Sequence, residues 1–455
     1  LAKMTKYDLL LFGALFWNIY QLVFKGSKTG QSQIVLAIAF FAHLFFDGIR
    51  WQIVPAYIML FTFFFLQTKT NRYTTVSLVA GLVISIVLPL LVPIISFPDP
   101  KGDYAVGSTI HHWVDNNRDE WFTPEDLNDK RQLMLQVWYP SVENDSEKLP
   151  FLDHLKTRAK TIAQAGKFPS FFAMHLERIK TNSVLNSPVL SEGAPFPIVI
   201  ISHGITGMRQ LHTSLAERLA SEGYAVFAMD HTYDANITVF SDGSIADYRS
   251  NIIGHPDSVS IRKKQIDTRV QDIQFVTREL ERIQSGALRH PLNGYLDLNK
   301  IGIAGHSFGG STATLTAFKD DRFKAVVALD SWINPLPDEV LDMGIIQPYL
   351  YMGRPSWVDS DYPSSISLSE LLHRNNRGAS YHITIKDTRH LNFIDAPLFS
   401  PIGKYLVEIG DINRKRSVAL VNQLTFEFFN KYLEGQPSSI LDRVETIPEL
   451  IFYEL

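Results

Sequence analysis

One uncharged stretch of 25 residues, residues 73–97, constrains the fold of this chain more than any other feature. A helix needs roughly 20 apolar residues to cross the hydrocarbon core of a bilayer. Three more apolar runs precede it, over residues 7–24, 34–46 and 53–66. Four such runs in series predict an α-helical multi-pass membrane region over residues 1–97, and they fit a cleaved signal peptide badly. The two short middle runs either span with help from their flanks or form a re-entrant hairpin.

Charge divides the chain at the same place. Residues 1–97 carry seven Lys and Arg but only two acidic residues, whereas residues 98–455 carry a net charge of −9. The second part therefore reads as an acidic soluble domain, which argues against nucleic-acid binding. The chain has 0 Cys, so disulfides, thiolate nucleophiles and zinc–cysteine sites are excluded.

The distribution of charged residues gives little indication of how the membrane region is oriented. Lys and Arg are almost evenly divided between the two sides of a four-crossing region, so their count does not separate the two topologies. The absence of Cys suits an oxidising compartment, and we expect the large domain on the extracytoplasmic face.

Three polar residues interrupt the apolar region close together, His43, Asp47 and Arg50. They form either an intramembrane polar site or an interfacial turn whose charges reach lipid headgroups. We favour the interfacial turn, with Trp51 and Tyr57 as aromatic belt residues.

From residue 197 onward, short apolar runs alternate with helical patterns. Apolar runs at 198–201, 225–229, 301–304 and 325–329 are separated by helix-like segments at 211–221, 261–283 and 311–318. This alternation predicts an α/β domain over residues 98–455, with a mostly parallel sheet covered by helices on both faces. Residues 143–197 are irregular and predict an insertion or cap-like segment, with an amphipathic helix over 169–180.

The clearest chemical motif has the form G-x-S-x-G, and it follows the apolar run 301–304: Gly305-His306-Ser307-Phe308-Gly309. A sharp strand-to-helix turn needs small residues beside the serine, which Gly305 and Gly309 supply. Such a turn exposes the serine hydroxyl at the edge of the sheet and directs a helix N-terminus towards it. Ser307 is therefore the candidate nucleophile.

A nucleophilic serine needs a base and a group that orients the base, here in the chain order Ser, acid, His. Asp330 follows the next apolar run and is the candidate acid, whereas its rival Asp321 precedes that run. Of the three later histidines, His382 lies within a strand pattern and His373 within a helix. His390 follows a strand by a short polar turn, which makes it the candidate base.

The candidate oxyanion donors are backbone amides. One is the N–H of Phe308, directly after the serine, and the other is the N–H of Ile205, in the loop after the run 198–201. Gly204 lets that loop approach the site, and His203 is expected to support it, as His306 supports the serine turn.

These motifs together resemble the platelet-activating factor acetylhydrolases, the plasma and intracellular type II enzymes and their bacterial relatives. The resemblance covers roughly residues 100–455, and its motifs are Gly-His-Ser-Phe-Gly-Gly at 305–310, Leu-Asp-Ser-Trp at 329–332, His-Leu-Asn-Phe at 390–393 with Asp395, Ser-His-Gly at 202–204 and Trp-Tyr-Pro at 138–140. It implies an α/β-hydrolase fold with calcium-independent hydrolysis of short or oxidised acyl chains at the second position of glycerophospholipids. Ser307 then matches the nucleophile, Asp330 the acid, His390 the base, and Ile205 with Phe308 the oxyanion amides. The N-terminal membrane region departs from the secreted and cytosolic members.

The sequence thus predicts a membrane-anchored serine esterase that needs no cofactor and no metal. His111 and His112 are adjacent on a predicted strand, so they point to opposite faces and do not chelate together. The expected partners are the bilayer and a membrane lipid or small ester. Two alternatives stay open: a general carboxylesterase or lipase on another ester, and a non-catalytic membrane binding protein.

Overall fold

The computed structural model describes residues 4–27, 29–65, 71–143, 145–252, 255–360, 362–443 and 445–453. Four helices correspond to the four apolar runs: α1 (Lys6–Phe24), α2 (Gly30–Phe46), α3 (Val54–Phe65) and α4 (Arg72–Leu91). Residue 66, at the end of the third predicted run, lies outside the described residues. The helices pack into a bundle with its own apolar core, in which Leu11, Leu15, Ala39 and Leu60 are buried.

Among the described residues, α1 and α4 are the two helices long and apolar enough to cross a membrane, and the other two helices of the bundle are shorter. Helix α4 ends before the predicted run does. Pro93 follows its last residues, and residues 92–97 leave the helix, since proline cannot continue the hydrogen-bond ladder. Phe97 is 6% exposed and packs on Phe151 and Phe399 of the following domain.

The prediction that His43 and Arg50 reach lipid headgroups is wrong. His43 is fully buried and Arg50 is 6% exposed, and both contact the carboxylate of Asp8 on α1. The Tyr57 hydroxyl hydrogen-bonds His43 Nδ1 at 2.9 Å, so Tyr57 is not a belt residue either. Asp8 lies 35 residues before His43, and the bundle brings its carboxylate to that ring.

Thirteen strands and eight further α-helices make up the rest of the described chain. The strands are β1 (Ala105–Asp119), β2 (Lys130–Ser141), β3 (Lys148–Pro150), β4 (Lys180–Leu185), β5 (Phe196–Ser202), β6 (Ala225–Asp230), β7 (Ile237–Val239), β8 (Ile245–Asp247), β9 (Leu296–His306), β10 (Phe323–Leu329), β11 (Tyr349–Gly353), β12 (Ser380–Ile385) and β13 (Leu450–Phe452). The helices are α5 (Leu155–Gly166), α6 (Thr213–Ser221), α7 (Ser258–Gln284), α8 (Phe308–Lys319), α9 (Asp338–Met343), α10 (Ser365–Asn375), α11 (Ala396–Phe399) and α12 (Arg414–Leu433).

Eleven of these strands form one sheet in the order β13-β12-β11-β10-β9-β5-β6-β2-β1-β4-β3. The strands from β6 through β5, β9, β10 and β11 to β12 run parallel, and β2 pairs antiparallel with β6. One apolar core lies between the sheet and α7 with α8, and a second lies between the opposite face and α6 with α12. This mixed, mostly parallel sheet with helices on both faces is consistent with an α/β hydrolase.

Residues 143–197, predicted as irregular, contribute β3 and β4 to the edge of the sheet and also contain α5. A long 3₁₀ helix lies where the amphipathic helix was predicted. It runs over Ser170–Arg178, with i→i+3 hydrogen bonds from Phe172 N–H to Pro169 and from Ile179 N–H to Leu176. The buried side chains Ala173, Leu176 and Ile179 repeat every third residue. That period fits a 3₁₀ helix rather than an α-helix. The same segment packs on the helix bundle, where Trp51 meets Phe171 and Phe172.

Candidate active site

Ser307 sits on a strained turn between β9 and α8. Its backbone has φ 56° and ψ −123°, a conformation that residues with a Cβ rarely adopt. The turn is fixed by hydrogen bonds from Ser307 N–H to Leu329 O at 2.9 Å and from Trp332 N–H to Ser307 O at 3.1 Å. These hydrogen bonds hold the strained backbone in place, so that Ser307 lies at the carboxyl edge of the sheet and at the N-terminus of α8.

The two outer glycines of the motif are sterically required. A Cβ on Gly305 would lie 2.0 Å from the carbonyl oxygen of Gly309, and a Cβ on Gly309 would lie 2.1 Å from the carbonyl oxygen of Ser202. On Gly204, a Cβ would lie 3.1 Å from Ser307 Cβ, so the loop after β5 approaches the serine closely. These glycines allow the backbone of β5, β9 and α8 to converge around one hydroxyl.

Asp330 and His390 meet beside this turn. Asp330 is fully buried at the end of β10, and its Oδ2 lies 2.6 Å from His390 Nδ1. A carboxylate on Nδ1 fixes the tautomer that leaves Nε2 free to accept a proton. The rival acid Asp321 is exposed before β10. His373 and His382 lie elsewhere and hydrogen-bond Ser380 and Ser369.

Among the residues that the structure describes, no hydrogen bond joins Ser307 Oγ to His390. Nucleophile–base contacts are often long in the absence of substrate and shorten when it binds. The side chain of His390 is 18% exposed, so its ring can receive a substrate at the same edge of the sheet.

The N–H groups of Ile205 and Phe308 have no intramolecular acceptor within the described part of the chain. The loop that carries Ile205 is held by two neighbours. His203 Nε2 accepts the backbone N–H of His231 at 3.0 Å, and Arg269 Nη1 donates to His203 O at 2.6 Å. Burial holds the pKa of His203 well below its usual value, so His203 is neutral and its role is support.

His306 contacts the base rather than the serine. Its Nε2 donates to the backbone carbonyl of His390 at 3.0 Å, and the two rings lie 4.5 Å apart, tilted by 36°. Burial, with further contributions from the charges of His390, His212 and Arg354, holds the pKa of His306 well below its usual value.

Sequence reasoning missed the buried polar groups beneath the loop that carries Ile205, the candidate oxyanion loop. His231 Nε2 hydrogen-bonds Ser202 Oγ at 2.9 Å, and His231 Nδ1 hydrogen-bonds Asp272 Oδ2 at 2.9 Å. Asp272 also accepts two hydrogen bonds from Arg131, at 2.9 and 2.7 Å. The one available signal was Asp272 on the inner face of the predicted helix 261–283, where a carboxylate needs a partner.

A group of possible metal ligands, which the sequence did not predict, lies in the helix bundle. Donor atoms of Asp8, His43 and Asp47 all lie within 4.8 Å of one another. Asp8 is already paired with the guanidinium of Arg50, which supplies the positive charge that a metal cation would bring. These side chains belong to the bundle and not to the edge of the sheet that holds Ser307.

Comparison with known proteins gives one family and two relatives, followed by one solved structure. A family model described as platelet-activating factor acetylhydrolase, isoform II, matches residues 93–439. The chain is 27% identical over 365 residues to platelet-activating factor acetylhydrolase of Cavia porcellus, covering 74% of this chain and 78% of that protein. It is 28% identical over 271 residues to a probable 1-alkyl-2-acetylglycerophosphocholine esterase of Arthroderma benhamiae, covering 57% of this chain and 66% of that one.

A solved structure, ferulic acid esterase from Streptomyces cinnamoneus, is similar to this fold with a TM-score of 0.65. The two share 26% sequence identity, and the match covers 79% of this chain and 99% of the esterase.

Proposed function

This chain belongs to the platelet-activating factor acetylhydrolase isoform II family and is a serine esterase, and from that premise we propose that Ser307, His390 and Asp330 are its catalytic triad. The observation that carries the proposal is the 2.6 Å hydrogen bond between Asp330 and His390 beside the strained Ser307 turn. The fully buried Asp330 carboxylate would stabilise the imidazolium that forms when His390 accepts a proton.

Hydrolysis would proceed in two steps. Ser307 Oγ attacks the ester carbonyl while His390 Nε2 accepts its proton, and the same imidazolium then protonates the departing alcohol. Water, deprotonated by His390, next attacks the acyl carbonyl, and the imidazolium returns the proton to Ser307 Oγ as the acid product leaves. The unpaired N–H groups of Ile205 and Phe308 would stabilise the oxyanion in both steps, and the N-terminus of α8 would add to that effect.

We propose a glycerophospholipid with a short or oxidised second acyl chain as the substrate. Support comes from the contact between the His390 loop and the helix bundle, because Ser400 Oγ donates to Leu91 O at the end of α4. On the same loop, Tyr405 is 75% exposed and Leu406 is 67% exposed. Two large exposed side chains on the segment that follows His390 suit an approach to lipid.

The membrane anchor is part of the same proposal. All four bundle helices present exposed apolar side chains, among them Phe16, Phe41, Phe61 and Val83. Polar residues of the bundle such as Asn18 and Ser85 are buried and hydrogen-bonded instead. We propose a multi-pass region over residues 1–97 and a catalytic domain over 98–455 on the extracytoplasmic face. We propose that the part of residues 143–197 outside β3 and β4 is a cap-like segment of this domain.

We propose that hydrolysis needs no calcium. The triad and the two amides supply nucleophile, base and oxyanion stabilisation without a metal. Activity should therefore persist in EDTA. Activity lost on chelation and restored by calcium would refute this part, and Asp8→Asn would then test the bundle cluster as the source.

The test of the triad is a matched pair of acid variants in the full-length protein. Asp330→Asn should lower turnover of p-nitrophenyl acetate by about 10⁴, as a wrong His tautomer does in other triads. Asp321→Asn removes the same charge from the exposed rival position and should leave turnover unchanged. The reverse pattern would refute the acid assignment.

A second candidate function is a general carboxylesterase, which the likeness to a ferulic acid esterase supports. A series of esters and phospholipids of increasing acyl length separates the two. Preference for short-chain phospholipids over water-soluble esters of equal acyl length supports the phospholipase. Equal or better turnover of the water-soluble esters supports the carboxylesterase.

A further inference from the structure

Arg354 is a buried cation in direct contact with the candidate acid. It follows β11 directly, its backbone N–H donates to Asp330 Oδ1 at 2.9 Å, and its side chain is 9% exposed. The guanidinium Nε lies 3.4 Å from Asp330 Oδ2, the same oxygen that lies 2.6 Å from His390 Nδ1. The acid therefore sits between a cation and the candidate base.

The Arg354 side chain is held in this place by an aromatic ring. Its guanidinium carbon lies 3.8 Å from the centre of the Trp357 ring, within the range of a cation–π contact. The same Trp357 ring meets His390 edge-on, with the ring centres 5.3 Å apart. Trp357 thus contacts both the Arg354 guanidinium and the His390 ring.

The ionisable groups around this guanidinium and Asp330 come from four parts of the fold. Asp330 follows β10, and Tyr351 lies on β11, where it senses the Asp330 charge. Glu408, on the loop after His390, approaches Arg354 Nη1 to 3.6 Å, but its side chain is 56% exposed. His390 and His306 complete the set. Glu408 is solvated, so it screens Arg354 weakly, and Asp330 is the nearest carboxylate.

We propose that Arg354 is a positioning residue of the triad, which fixes the Asp330 carboxylate and sets the pH at which His390 becomes a competent base. The inference rests on the proposed triad. A cation beside the acid opposes the protonation of His390, because it offsets part of the negative charge that would stabilise the imidazolium.

Loss of the guanidinium removes the positive charge that offsets the Asp330 carboxylate, so the carboxylate stabilises the protonated form of His390 more strongly. The acidic limb of activity should then move to higher pH. Replacement of a residue with only a structural role would lower the rate at every pH and leave the midpoint of the acidic limb of the pH–rate profile unchanged.

The test is the second-order rate of labelling by a fluorophosphonate between pH 5 and 9, measured on full-length protein in detergent. Because this reagent modifies Ser307 irreversibly, its labelling rate reports the activation of Ser307 and does not depend on product release. For Arg354→Met, the midpoint of the acidic limb should rise by about one pH unit relative to the parent protein. Arg354→Lys keeps the charge and should return the midpoint to within about 0.3 unit of the parent. Arg354→Gln serves in place of the Met variant if that variant does not fold.

Arg282→Met is the matched control, since it removes an arginine whose side chain is 54% exposed and paired with Glu279. Its midpoint should equal the parent value. An unmoved midpoint in both Arg354→Met and Arg354→Gln would overturn the inference, as would a shift in Arg354→Lys as large as in Arg354→Met. The proposed triad is judged separately: labelling of the parent but not of Ser307→Ala upholds the triad whatever the Arg354 variants do.

Discussion

His306 donates a hydrogen bond from Nε2 to the backbone carbonyl of His390 at 3.0 Å. The residue before the candidate nucleophile thus holds the loop that carries the candidate base. Because Ser307 and His390 lie 83 positions apart in the chain, such a link ties the turn after β9 to the loop after β12. It explains why a buried, neutral histidine occupies the second position of the motif.

His306→Phe tests this link. The variant keeps an aromatic ring of similar size but leaves the His390 carbonyl without a donor, a loss of about 1–2 kcal/mol. We expect kcat for p-nitrophenyl acetate to fall by about tenfold, since the base is less well placed. His382→Phe, at another buried histidine, is the control and should keep its kcat. Equal kcat in both variants and the parent would contradict the proposed role.

The sheet and the edge that carries the candidate triad could be predicted from local patterns. Each apolar run from 198–201 to 325–329 became a strand, because runs of Val, Ile and Ala between turn signals suit a strand buried on both faces. The positions of Ser307, Asp330 and His390 follow from the same pattern, since Ser307 and Asp330 lie directly after a strand and His390 follows one by a short turn. The hydrogen bond between Asp330 and His390 is a consequence of parallel strands ending at one edge.

Buried polar partners were not predictable in the same way. Asp8 and His43 meet across the helix bundle, and Asp272 meets His231 beneath the oxyanion loop. No periodicity marks such pairs, because one residue of each pair lies far along the chain from the other. Arg354 was missed for the same reason: only the fold brings the guanidinium to Asp330. The 3₁₀ helix at Ser170–Arg178 was missed because its period of three resembles an α-helical pattern over so few residues.

Gly309→Ala tests the steric account of the turn. An alanine Cβ would lie 2.1 Å from the carbonyl oxygen of Ser202, which β5 cannot move without breaking its pairing with β9. We expect a loss of about 3 kcal/mol in the free energy of unfolding and loss of ester hydrolysis. Gly30→Ala, where a Cβ meets no atom within 4 Å, should leave both unchanged. Denaturant unfolding of both variants checks this, and a stable, active Gly309→Ala protein would contradict it.

Asp395 predicts a dependence of stability on pH. Burial raises the pKa of Asp395 to about 7, although Ser214 donates its backbone N–H to the carboxylate at 3.0 Å. A carboxyl group with a raised native pKa stabilises the fold fully below its unfolded pKa and loses that contribution as pH rises through the native value. From pH 5 to 8, the free energy of unfolding should therefore fall by on the order of 2–3 kcal/mol through this group.

Asp395→Asn should remove that part of the pH dependence, and Asp321→Asn, at an exposed position, should keep it. Unfolding midpoints at pH 5 and pH 8 give the comparison. The same pH dependence in Asp395→Asn as in the parent would show that another group is responsible.

Tyr405 and Leu406 predict a separation between soluble and vesicle substrates. Replacement of both by Ser removes exposed apolar surface from the loop next to the site, and so weakens contact with lipid. Turnover of phospholipid in vesicles should fall by about tenfold, with p-nitrophenyl acetate hydrolysis unchanged. Leu127→Ser, at an 87% exposed leucine between β1 and β2, is the control and should affect neither. Equal losses on both substrates would mean that the loop supports the site itself.

The most direct test of the central claim is the hydrolysis of p-nitrophenyl acetate by Ser307→Ala, with thermal unfolding as the check on folding. The side chain change is small and Ser307 makes no side-chain hydrogen bond among the described residues, so the fold should survive. Loss of a triad serine can cost on the order of 10⁶ in turnover. The account predicts a folded protein with hydrolysis reduced to background. A folded Ser307→Ala protein that turns over the ester at the parent rate would contradict it.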